Sequence, residues 1–145
     1  MIPQLRTAIY TYLTSGGNPF ITLLGAGNLK HKHPRNNKDF PFCVFEETSR
    51  ERFIDSGSKY IQGTLTFKIY DGSNDGVKES SISASNLEAT VEALDTMLDL
   101  KDKSITISGY QFVNLKTKSI TNAPTQSNAV HGAICKYEFI LLKAR

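Results

Sequence analysis

Apolar residues recur along this chain first at helical spacing, then in alternation, then at helical spacing again, and finally in alternation to the end. Ile2, Leu5, Ile9, Tyr12 and Leu13 form one stripe, the pattern of a helix resting on a core. Pro3 is tolerated in the first turn, where its missing N–H has no partner to lose. Ser15-Gly16-Gly17 stops this helix, since glycine takes the left-handed conformation readily. Residues 21–27 are apolar and glycine-bounded, and they fit either a helical turn or a short strand.

Residues 40–47 are rich in aromatic and β-branched side chains and predict a strand, with Pro41 near its start, where a strand tolerates proline. The clearest strand spans 59–70. Ile61, Leu65, Phe67 and Ile69 fall on one face, and Gln62, Thr64, Thr66 and Lys68 on the other, as in a sheet covered on one side only. A second helix is expected over 86–100. Ser85 and Glu88 have capping-box spacing, and Leu87, Val91, Leu94 and Leu98, with Met97 beside them, supply the stripe that strand 59–70 needs as a partner. Ile105 and Ile107 begin another strand, and Gly109 marks a turn or bulge before a strand over 110–115. Residues 130–142 close the chain as a strand with Ala133, Cys135, Tyr137, Phe139 and Leu141 on one face. Polar loops are expected at 46–58 and 116–129. The order of elements predicts an α+β fold, with an antiparallel β-sheet of four to five strands and two α-helices packed on one face.

A chain of 145 residues fits one domain over 1–145. Its 39% hydrophobic and 21% charged content is that of an ordinary globular protein. The net charge of +3 is too mild for an obligatory nucleic-acid footprint. No apolar run reaches the roughly 20 residues of a membrane-spanning helix, and the N-terminus lacks a signal-peptide core, so a cytoplasmic origin and no membrane partner are expected. Cys43 and Cys135 sit in strand patterns and are most simply small buried hydrophobes. A disulfide between them requires neighbouring strands.

Candidate chemistry is thin. Asp71-Gly72-Ser73-Asn74-Asp75-Gly76 looks like the first half of a calcium loop, but Ile82 stands where a bidentate glutamate is required. His31 and His33 share one side of an extended segment, yet no second pair of zinc ligands accompanies them. Lys30, Lys32, Arg35 and Lys38 could touch a phosphate backbone, although the aromatic platform for single strands is absent. Gly25-Ala26-Gly27 lacks the ending of a phosphate loop, and no serine lies in a Gly-x-Ser-x-Gly elbow. The chain is therefore expected not to be an enzyme and to need no cofactor or metal. Two surfaces remain. Residues 46–58 place Glu47, Arg50, Glu51, Arg52 and Asp55 around Phe53-Ile54, which fits a subunit contact with a polar rim or a mobile hairpin tip. The 116–129 segment is suited to ordering against a partner.

The layout resembles the phage tail terminator family, also called tail completion or head–tail joining proteins. The resemblance is carried by the helix from Leu5 to the Gly17 turn and by the run His33-Pro34-Arg35 into Phe40-Pro41-Phe42-Cys43-Val44. It continues in the strand ending Lys68-Ile69-Tyr70-Asp71 before the second helix, and in a final strand after a variable polar loop. It implies a virion protein assembled in the bacterial host cytoplasm. In that family a self-assembled ring, usually a hexamer, caps the tail tube, ends its growth and offers a surface to a head-side connector protein. On that reading Arg50, Glu51, Arg52, Phe53 and Ile54 would meet the neighbouring subunit. Lys116, Lys118, Asn122, Gln126 and Asn128 would meet the tail tube or head, and nucleic acid would be at most a passing contact. Another neck component, a DNA-binding accessory protein using Lys30–Lys38, and a metal-dependent hydrolase using His31 and His33 are the competing expectations.

Overall fold

The computed structural model describes residues 2–25, 27–31, 41–53, 59–72, 84–123 and 130–143. In chain order these form α1 (Pro3–Thr14), α2 (Pro19–Leu24), β1 (Leu29–His31), β2 (Phe42–Phe53), β3 (Lys59–Gly72), α3 (Ala84–Leu98), a 3-10 turn (Asp102–Ser104), β4 (Tyr110–Asn122) and β5 (Val130–Lys143). The strands make one five-stranded sheet in the order β1-β2-β3-β5-β4. Every pairing is antiparallel except that of the short β1 with β2, which is parallel. The α+β expectation holds, with a third helix added.

The stripes read from the sequence are the core. Leu5, Ile9 and Leu13 of α1 are fully buried, as are Leu94 and Leu98 of α3. They cover the face of the sheet formed by Leu65, Phe67 and Ile69 of β3 with Cys135, Tyr137, Phe139 and Leu141 of β5. Phe67 lies centrally, stacked on Phe45 at 5.6 Å and edge-on to Tyr137 at 5.9 Å between ring centroids. Gly63 permits the close approach of the Phe139 ring. A Cβ at this position would sit 2.7 Å from that ring and collide with the Thr48 carbonyl oxygen.

The open question at 21–27 is decided by capping. The Asn18 side chain accepts the Ile21 N–H at 2.9 Å, and Pro19 occupies the first helical turn, so Pro19–Leu24 is helical. The same amide donates to the Leu13 carbonyl at 2.9 Å and the Ser15 carbonyl at 2.7 Å. Asn18 thereby ties the end of α1 to the start of α2.

Five expectations about extent need correction. β2 continues to Phe53 and β4 to Asn122, so much of the expected loops at 46–58 and 116–129 is strand. The ladder is held by backbone hydrogen bonds, which polar residues form as well as apolar ones. α3 begins at Ala84, which puts Ser85 inside the helix rather than ahead of it, so the expected capping box is not its start. The helix ends at Leu98 rather than at residue 100. Leu100 takes φ 58, donating its N–H to the Leu115 carbonyl at 3.0 Å, and Lys101 donates back to Leu98 at 3.2 Å. Ile105 and Ile107 do not begin a strand. Ile107 bridges Tyr110 across Gly109, at φ 79, and both isoleucines are buried in the core. Cys43 and Cys135 are free and buried, and β3 lies between their strands.

Candidate functional site

Strand alternation sends Thr48, Arg50 and Arg52 of β2 to the face of the sheet opposite the helices. They stand there beside Thr64, Gln62 and Tyr60, their cross-strand partners on β3. Glu138 of β5 pairs with Thr64 and Ile140 with Gln62, which extends this face toward β4. β4 carries register shifts between Phe112 and Asn114 and between Thr117 and Ser119. The second shift makes Lys118 an extra residue, and a bulge of this kind re-aims a side chain. Lys118 joins Arg50, Arg52, Gln62 and Glu138 around a shallow cleft of about 370 Å³.

The cleft is basic. Its one carboxylate, on Glu138, is engaged by Lys116 at 2.9 Å. Farther along the face Lys68 and Glu46 lie 4.0 Å apart. Arg50, Arg52 and Lys118 make no ion pair among the described residues. At the far end of the same face the Phe42 and Tyr70 rings lie 5.3 Å apart between centroids, tilted by 33°, and the Tyr70 ring lies over Gly132.

A second recess of about 630 Å³ runs between α3 and β4 on the helical side, lined by Leu87, Glu88, Val91, Glu92, Asp95, Ile120 and Asn122 among others. Its apolar floor has an acidic rim. Asp95 is occupied within the chain, accepting the Thr117 hydroxyl at 2.7 Å and the Tyr137 hydroxyl at 3.0 Å, while Asp99 accepts the Thr117 N–H at 2.9 Å. Glu88 and Glu92 are exposed and make no ion pair among the described residues. Burial, followed by the nearby Cys135 and Asp95, pushes the Tyr137 hydroxyl well above its ordinary value. Burial, then Asp95, pushes the Cys135 thiol up to about 12, and burial, then Cys135, also raises Cys43. These shifts oppose what a thiolate nucleophile requires.

The residues singled out from the sequence therefore divide. Arg50, Arg52 and Lys118, expected on two different loops, meet on one sheet face. Glu51 points to the opposite face, across from Ile61, because side chains alternate along a strand. The Phe53 backbone pairs with Lys59, and Ile54 lies outside the described residues. Lys116 belongs to the ion pair with Glu138, and Asn122 borders the α3–β4 recess rather than a loop. Gln126 and Asn128 lie outside the described residues. Lys30 is on β1, near Arg6 and Tyr10 of α1, whereas Lys32, His33, Arg35 and Lys38 lie outside them, as do residues 73–76 of the calcium-like run. Gln62, Glu138 and Glu92 were not singled out, because only strand register and helix packing bring them to these recesses.

No family model matches the chain, and neither does any curated protein. Among solved structures the fold is similar to that of a chain in the virion of a native gene transfer agent particle. The TM-score is 0.75 at 11% identity, covering 95% of this chain and 94% of that one. At that identity the likeness establishes a shared fold.

Proposed function

We propose that this protein is a structural subunit of a phage-like virion, and more specifically that it closes into a hexameric ring on the tail tube. The ring would end tube growth and present its other side to a head-side connector protein. The observation that carries this reading is the likeness over nearly the whole of both chains to a component of a virion. The arrangement of surfaces supports it. A long edge strand, β4, a basic sheet face and an acidic recess on the helical side give each copy unlike patches, and contacts between unlike patches build rings when the rotation closes. The work is mechanical and needs neither turnover nor a cofactor. Its place is the virion tail after assembly in the bacterial cytoplasm.

Native mass spectrometry of the purified protein, alone and mixed with the tail tube protein of the same particle, tests this reading. A closed ring, or a ring seated on tube ends that no longer elongate, is the expected result. A protein that stays monomeric at all concentrations and leaves tube growth untouched would refute it.

A further inference from the structure

We infer that the basic cleft on the sheet of one copy receives the acidic edge of α3 from the next copy, with Arg50 and Arg52 gripping Glu88 and Glu92. The inference rests on the ring reading above and names the contact that would build the ring. Two patches of opposite sign lie on opposite layers of the molecule, one on the sheet's open face and the other beside α3. Joining them is a heterologous contact, which propagates from copy to copy instead of stopping at a pair.

The spacings also correspond. Arg50 and Arg52 are two residues apart on one strand face, about 6.6 Å along β2 at the usual rise. Glu88 and Glu92 are one helical turn apart, with Cβ atoms about 5–6 Å from each other. Two guanidiniums can thus meet two carboxylates in register, in the planar, forked geometry that arginine favours. Neither pair is satisfied within its own chain among the described residues. Asp95 and Asp99 do not compete for the cleft, since both already accept hydrogen bonds from Thr117.

The cleft suits a carboxylate-bearing protein surface better than a nucleic acid. Glu138 stands inside it, and Ile140 and Leu142 continue the same face. Apolar surface beside charge is the anatomy of a protein interface, whereas a phosphate backbone calls for an uninterrupted basic track.

The test is charge reversal and its repair. Native mass spectrometry in volatile buffer, with sedimentation velocity at two salt concentrations, would compare wild type, R50E/R52E, E88R/E92R and the combination of all four. All four side chains are exposed, and thermal unfolding checks that each variant remains folded. Loss of the ring in both double variants, its return in the quadruple variant, and weaker wild-type assembly at high salt are expected. Rings that survive both reversals would overturn the pairing while leaving the ring reading intact. Loss without repair in the quadruple variant would also overturn it. If R50E/R52E still forms rings but loses affinity for a duplex oligonucleotide, the cleft is a nucleic-acid surface and the inference fails. A wild type that never assembles would defeat the ring reading itself.

Discussion

Leu100 shows how one residue can be held against its own preference. It takes φ 58 while 69% exposed, in a backbone region where a Cβ crowds the carbonyl oxygen. The conformation persists because its N–H is committed to Leu115 on β4 and the next N–H to the end of α3. The leucine side chain gains little in return, and nothing in the structure explains its choice. Leu100→Gly is expected to raise the unfolding free energy by about 0.5–1 kcal/mol, since the strain is removed and little packing is lost. A urea denaturation midpoint that fails to rise would show that the turn is relaxed as it stands. At this scale the sequence was mute, because Leu98, Asp99 and Leu100 read as a continuing helix.

Among the elements, α1 depends on a partner far away in the chain. No side chain next to its N-terminus caps it. Instead the Ile2 N–H donates to the carboxylate of Glu47 on β2. A negative group here meets both an orphan N–H and the positive end of the helix dipole. Tyr12 fastens the other end by donating its hydroxyl to the Met97 carbonyl of α3 at 2.8 Å. Glu47→Gln is expected to cost about 1 kcal/mol through the lost charge, and Glu47→Ala more. Amide exchange in the first turn of α1 should speed up first. Uniformly faster exchange across the whole chain, with no preference for α1, would contradict a local capping role. Glu47 was placed in a candidate interface loop from its charged neighbours. Its capping role was not legible, because it depends on a contact across 45 positions of sequence.

For the whole molecule, the buried thiols and Tyr137 make stability fall at high pH. In the unfolded chain Cys43 and Cys135 would lose protons near pH 8.5. In the folded protein burial holds both thiols protonated, Cys135 up to about 12. Above the unfolded value the unfolded state therefore binds fewer protons than the native state, and stability falls as pH rises. Their contribution is complete below about pH 8.5 and is lost progressively between there and about pH 12. Tyr137 acts in the same direction, being raised chiefly by burial. Urea midpoints measured from pH 8 to 11 should decline, and Cys135→Ala should flatten the slope. Thiol reagents should label neither cysteine until the protein unfolds. A flat profile, or rapid labelling of the native protein, would mean that water reaches the sheet's inner face.

The sequence alone determined which residues would be buried. A helical stripe or a strict alternation has one apolar side, and burying that side is the dominant gain in folding. That is why α1, α3, the core half of β3 and all of β5 were legible, and with them the fold class. It could not fix where β2 and β4 end, since their outer halves are mostly polar and are held by backbone pairing that leaves no clear side-chain pattern. Nor could it gather Arg50, Arg52 and Lys118 into one cleft or leave Glu88 and Glu92 on the opposite layer. Those placements follow from strand order, register and the bulge at Lys118, which are properties of the assembled sheet and are written in no local stretch of chain.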